Sequence, residues 1–218
     1  MPKQFDLLVF DWDGTLMDSA GAIAFSIQSA SRDLGLTAPS DGEARHIIGL
    51  GLNEAIAALF PALPGSDYAA LVERYRHHYL SRDAEIPLFD GVAETIAALH
   101  GEGFFLAIAT GKGRRGLDSV LQQTGLGRYF HGSRCTDECF SKPHPCMLLE
   151  LMDEFGVTPA RTLMIGDTSH DLQMAQNAGV AAVGASYGAH PRENLMALSP
   201  LACAGDFGEL GRWLSLHA

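Results

Sequence analysis

Cysteine, positive charge and long apolar runs are all scarce in this chain. Four Cys in 218 residues are too few for the disulfide framework of a small secreted protein. Reduced thiols and a cytoplasmic location are therefore expected. Fifteen Lys and Arg against 26 Asp and Glu leave a net charge of −11. That sign argues against nucleic acid or a membrane surface as a partner, since both need a basic face. It does not argue against a small anionic ligand, which responds to local charge alone. No apolar run approaches the roughly 18 residues needed to span a bilayer. The opening Met1-Pro2-Lys3-Gln4 has one positive side chain, and Asp6 interrupts the apolar stretch behind it, so no signal peptide is expected. Internal repeats and low-complexity tracts are missing as well. What is there is an ordinary globular composition, 47% hydrophobic and 19% charged. A chain of this length can bury roughly 70% of its unfolded surface.

Short apolar runs alternate with helical patterns. Strands are predicted over Phe5–Phe10, Phe104–Ala109, Thr162–Ile165 and Ala181–Gly184. Apolar on successive residues, they suit parallel strands covered on both faces. Helices are predicted over Val92–His100, Arg114–Thr124, Pro143–Phe155 and Asp171–Ala178. This alternation implies an α/β fold, a Rossmann-like parallel sheet flanked by helices. It fails between Ser19 and about Ile86, where three amphipathic helical patterns occur instead. They cover Ala20–Leu34 (N-cap Asp18 or Ser19, stop at Gly35), Asn53–Phe60 and Asp67–Leu80. The expected division is a core of residues 1–18 and 85–218, with an all-helical insert over 19–84.

The first strand ends in Asp11-Trp12-Asp13-Gly14-Thr15-Leu16. Two carboxylates two residues apart at a strand's C-terminal end can project into one crevice, or simply cap a strand–helix turn. Further on, Thr110-Gly111 follows the second strand, Ser141-Lys142-Pro143 precedes a helix, and Gly166-Asp167-Thr168-Ser169-His170-Asp171 follows another strand. In a parallel sheet such strand ends and loops share one edge. Asp11, Asp13, Thr110, Gly111, Lys142, Asp167 and Asp171 are then expected to converge.

In that order these segments resemble the motifs of the haloacid dehalogenase-like hydrolase superfamily: D-x-D-G-T-L, a Ser or Thr closing strand two, a Lys, and G-D-x-x-x-D. The match runs from Phe5 to about Val183, with the helical insert where the family's type I cap belongs. The Asp13–Ser19 continuation is most similar to phosphoglycolate phosphatase-like members. The resemblance implies a Mg²⁺-dependent phosphatase acting on a small phosphorylated metabolite. In that reading Asp11 is the nucleophile and Asp13 the general acid and base. Mg²⁺ is held by Asp11, Asp167 and the carbonyl of Asp13. Thr110 and Gly111 bind phosphoryl oxygens, Lys142 neutralises charge, and Trp12 also lines the substrate site. Asp171 acts behind Lys142 or a metal-bound water, or serves only as a first-turn helix acid. Arg45, beside the Gly-punctuated turn Ile47–Asn53, either pairs with a substrate carboxylate or is an ordinary solvated charge.

Other readings compete. A phosphomutase can use the same core, and a non-enzymatic module would bind the ligand without turnover. Gly111-Lys112-Gly113-Arg114-Arg115-Gly116 matches G-x-G-x-x-G, with Asp137 about 20 residues on, which would suit a nicotinamide-dependent oxidoreductase. Cys135, Cys139, His144 and Cys146 form C-x₃-C-x₄-H-x-C, loosely a zinc spacing, with semi-buried thiols as the plainer reading.

Overall fold

A computed structural model describes residues 3–82 and 85–218; Met1, Pro2 and the last two positions of the expected insert lie outside the described residues. Six strands form one parallel sheet in the order β3-β2-β1-β4-β5-β6. The four expected strands are β1 (Leu7–Phe10), β2 (Phe105–Thr110), β4 (Thr162–Gly166) and β5 (Ala181–Ala185). Alternate residues serve opposite faces, as the strand period requires. On one face Leu8, Phe10, Leu106 and Ile108 pack with helices α5 (Val92–Gly101), α6 (Arg114–Thr124) and α10 (Phe207–His217). On the other, Leu7, Val9, Ala107 and Ala109 pack with α7 (Cys146–Phe155) and α8 (Ser169–Ala178). Each of the buried Leu, Val, Ile and Phe side chains among them contributes about 1.5–3 kcal/mol relative to exposure.

Two strands were not expected. β3 (Gly132–Cys135) and β6 (Ala202–Ala204) are edge strands of four and three residues. Gly-Ser-Arg-Cys carries no apolar run, and its strand form depends on pairing Gly132–Cys135 with Ala107–Thr110. The short α9 (Arg192–Met196) and α10 complete the described chain. Helix α7 also starts later than expected. Pro145 takes the N-cap and Cys146 is the first helical residue, because His144 precedes a proline and is biased away from helical backbone.

The stretch between β1 and β2 is helical: α1 (Ala20–Asp33), α2 (Asp41–His46), α3 (Leu52–Leu59) and α4 (Gly65–Leu80). It has a small core of its own, with Ala24, Ile27, Ala30, Ala44, Ile56 and Leu71 buried together. α2 was not expected; it is six residues long and rests on a capping box between Ser40 and Glu43. Chain entry and exit run side by side, since Phe89 N–H donates to Leu16 O at 3.0 Å and Asp18 N–H to Pro87 O at 3.0 Å. Among the described residues no helix is long and apolar enough to cross a membrane.

Candidate active site

The chain leaves β1 toward β2 and β3 on one side, and places β4 on the other. β1 therefore flanks a topological switch point, where a crevice opens beyond the strand ends. Phe10 is level with Ile108 on β2 and Ile165 on β4. Register alone thus sets Asp11, Thr110 and Asp167 at one edge, one or two residues past that level.

Asp11, Asp167 and Asp171 are buried, and one carboxylate oxygen from each lies within 4.8 Å of the others. Lys142, on the loop between β3 and α7, reaches in from the side. Its Nζ lies 2.8 Å from Asp11 Oδ1 and 2.6 Å from Asp171 Oδ1. Asp171 also closes a capping box at the start of α8, where its Oδ2 accepts from Thr168 Oγ1 at 2.6 Å. It is both a first-turn helix acid and a partner of Lys142. Asp167 Oδ1 accepts from Thr15 Oγ1 at 2.8 Å and Oδ2 from Ala189 N–H at 2.7 Å. Two glycines leave room for it. A Cβ at Gly14, where φ is +82°, or at Gly188 would collide with the Asp167 carboxylate.

Three carboxylates against one ammonium leave the floor two negative charges in excess. Burial pushes the Asp11 carboxyl up to about 7, with Lys142 opposing and Asp171 adding to the rise. Burial and the charges of Asp11 and Asp171 hold Asp167 well above the usual carboxylate range. For Lys142 burial pulls down, but Asp11 and Asp171 outweigh it and hold the ammonium above its ordinary value. Asp11 Oδ1 meets only the Lys142 ammonium, and Oδ2 has no hydrogen-bond partner. Clustered, buried, under-compensated oxygen donors are what a hard divalent cation needs, so the residues present fit Mg²⁺.

Asp13 stands apart from this floor. Its Oδ1 accepts from Ser19 Oγ at 2.6 Å and lies 3.0 Å from Lys112 Nζ. Ser19 therefore does not cap α1, although it holds the N-cap position, because its hydroxyl is committed to Asp13. Lys112 Nζ also donates to Tyr79 Oη of α4 at 2.8 Å. Thr110 closes β2 with its Oγ1 accepting from Lys112 N–H at 3.1 Å. Trp12 is buried in the core, its indole N–H donating to Met17 Sδ at 3.4 Å.

The helical insert is seated on this edge. A Cβ at Gly111 would stand 2.5 Å from Leu50 O and 2.7 Å from Gly49 O. Gly51 N–H donates to Ser141 Oγ at 2.8 Å, and His170 and His190 ring nitrogens lie 2.8 and 3.1 Å from His46 O. Between insert and core lies a cavity of about 720 Å³ that reaches Asp11 and Asp13 and is walled by Ile23, Ile27, Ile48 and Tyr75. Lys112 and Arg115 also line it. Arg45 does not: it pairs with Asp41 at 2.8 Å on α2. Asp137 accepts the Arg114 N–H at the start of α6 at 3.0 and 3.1 Å, so its carboxylate caps a helix. Spacing alone did not reveal Ser19, Lys112 or Tyr79. Lys112 sat within a glycine-rich match, and its partners come from 33 and 99 positions away.

The family profile described as haloacid dehalogenase-like hydrolase matches residues 8–185. The chain belongs to that family. Among curated relatives of this hydrolase, "Probable phosphatase IndB" of Dickeya dadantii is 36% identical over 210 residues, covering 94% of this chain and 91% of that protein. A phosphoglycolate phosphatase of Vibrio vulnificus is 31% identical over 217 residues, covering 95% of each. Among solved structures, a predicted phosphoglycolate phosphatase from Haemophilus somnus superposes with a TM-score of 0.86 at 27% identity, covering 97% of this chain and 99% of that one. The α/β fold with a parallel sheet is the fold of this family, and the resemblance to phosphoglycolate phosphatases holds along nearly the whole chain.

Proposed function

We propose that this hydrolase cleaves a small-molecule phosphate monoester through an aspartyl-phosphate, with residues 19–84 acting as a cap over the core. The observation that carries the reading is the convergence of Asp11, Asp167, Asp171 and Lys142 on one buried floor at the switch point. Asp11 attacks phosphorus: its carboxylate oxygen forms the new P–O bond while the bond to the leaving alkoxide breaks. Asp13 gives its proton to that alkoxide, then takes one from the water that releases phosphate and regenerates Asp11. Ser19 and Lys112 hold one Asp13 oxygen, leaving the other to move the proton. Thr110 and the Gly111 N–H orient the equatorial oxygens, and Lys142 offsets charge shared by Asp11 and the phosphoryl group. Mg²⁺, held by Asp11, Asp167 and the main-chain carbonyl of Asp13, would screen one anion approaching another.

The leaving group lies in the cavity. Its volume falls within the range of about 300–1,000 Å³ that holds drug-sized ligands, and its walls are largely apolar. A substrate bulkier than phosphoglycolate fits that space. Arg76 and Arg115, which line the cavity, rather than Arg45, meet any second anionic group. Nothing in the cavity calls for nucleic acid or lipid, and four free thiols suit a reducing cytoplasm. The test is phosphate release from a panel of phosphorylated metabolites with Mg²⁺, run beside Asp11→Asn. Loss of turnover by a factor of about 10³ or more is expected. Turnover surviving in the variant would refute the aspartyl-phosphate route.

A further inference from the structure

The zinc-like spacing of Cys135, Cys139, His144 and Cys146 is regrouped by the fold. Cys135 closes β3 and is buried in the core. The His144 ring packs on Phe140 with centroids 4.6 Å apart, and its Nδ1 accepts from Cys146 N–H at 3.2 Å. Two thiols remain, and a carboxylate joins them. Cys146 begins α7, and Glu150 stands one turn further along the same helix face. Cys139 comes from the turn after β3 and packs against the sheet's α7–α8 face. One ligand atom from each of Cys139, Cys146 and Glu150 lies within 4.8 Å of the other two.

The contacts among them are those of proton-bearing thiols aimed at one point. Cys146 Sγ donates to Glu150 Oε1 at 3.2 Å, and the Cys139 sulfur lies within 4.8 Å of the Cys146 sulfur. Arg134 Nε lies 2.7 Å from Glu150 Oε2, which turns the carboxylate so that Oε1 faces the sulfurs. Arg134 also pairs with Glu154 at 2.9 Å.

We propose that Cys139, Cys146 and Glu150 bind one thiophilic divalent cation of the Zn²⁺ class, at a site separate from the Asp11 floor. Three protein ligands with a fourth position open to solvent is a common zinc arrangement. Binding replaces the two thiol protons, which are released to solvent. The cation offsets the two thiolates, and Arg134 is shared between Glu150 and the half-exposed Glu154, which leaves one negative charge facing solvent. Ligand hardness sorts the two sites. The floor offers only oxygen and suits Mg²⁺, whereas sulfur selects a softer ion. Cys139 and Cys146 also bracket Ser141 and Lys142 in the chain, so the cation would tie together both ends of the loop that delivers Lys142 to Asp11.

Cobalt(II) is the probe, added to the full-length protein with Mg²⁺ in excess to fill the oxygen site. Wild type is expected to develop sulfur-to-cobalt charge-transfer absorption that saturates at one equivalent and is displaced by Zn²⁺. Cys139→Ser and Cys146→Ser should each lose it. Glu150→Gln should weaken binding by at least about 10-fold, since losing a ligand costs no less than losing the outer partners that orient ligands. Asp11→Asn should leave it unchanged. Absence of the band in wild type, its persistence in both Ser variants, or its loss in Asp11→Asn would overturn the proposal. Should a Ser variant fold poorly, wild type alone decides: Zn²⁺ must shield Cys139 and Cys146 from alkylation, and equal labelling with and without Zn²⁺ counts against the site.

Discussion

Lys142 is sealed in the floor of the site between Asp11 and Asp171, whereas Lys112 stands at the seam between core and insert, beside Asp13 and Tyr79. The floor is built by core loops alone, from strand ends fixed by sheet register. The seam needs a helix from the insert as well. The proposed nucleophile and its charge compensation therefore rest on core residues alone, while the group proposed to serve the leaving alkoxide is held by a contact that crosses the seam. A preorganised floor stabilises charge without reorganisation during reaction. Under the proposed mechanism, a seam-dependent acid would tie proton transfer to closure over the substrate.

Four substitutions would break or sharpen this contrast. Lys142→Met should be the most damaging, since it leaves Asp11 and Asp171 buried without a counter-charge. A stability loss of about 3–5 kcal/mol in the absence of divalent cation, and a fall in kcat of about 10²–10³, are expected. Urea melts with and without Mg²⁺ measure the first, and steady-state kinetics the second. Unchanged stability would mean that the floor is not the charged cluster described. Lys112→Met should fold normally and lower kcat by on the order of 10-fold for an alkyl phosphate, part of the range for general acid–base catalysis. The loss should be much smaller for p-nitrophenyl phosphate, whose leaving group needs little proton help. Equal losses on both substrates would detach Lys112 from Asp13.

Tyr79→Phe removes one hydrogen bond to the same ammonium and should cost a few-fold on the alkyl phosphate. In a double-mutant cycle its effect should vanish in the Lys112→Met background. Additive effects would break the link across the seam. The smallest effect calibrates the others. Asp6 and Arg161 pair at the surface, with side chains 44% and 40% exposed. The Arg161 hydrogen bond holds the Asp6 carboxyl below the usual range. Because the folded value is depressed, its contribution is present above the ordinary carboxylate pKa and fades as pH falls through the lowered one. Asp6→Asn should cost at most about 1 kcal/mol at neutral pH, less in high salt, and nothing in strong acid. Thermal melts across pH check it.

The same contrast explains what the sequence allowed one to read. Asp11, Thr110 and Asp167 were legible because each sits at the end of an apolar strand, and strand register does the positioning. Lys142 was readable only from its order among the other segments, since its loop follows a strand with no apolar run. Its helix also begins three residues later than the Pro143 signal suggested, because a second proline intervenes. Ser19 read as a helix cap, which is its backbone position, while its hydroxyl belongs to Asp13. Tyr79 and Lys112 meet only when the insert folds back onto the core, a contact that no local period encodes. Arg45 stood near a suggestive turn, but its charge is met by Asp41 one helical turn away.

Asp167 is recorded in this chain more than once. Its oxygens are spoken for by Thr15 and Ala189, and its outline is kept by what Gly14 and Gly188 do not have. These two positions form a mould of the carboxylate, one beside the first aspartates and the other far along the chain. An engineer enlarging this site would meet the mould before the chemistry. Adding a single methyl group at either glycine would displace a carboxylate that neither residue resembles.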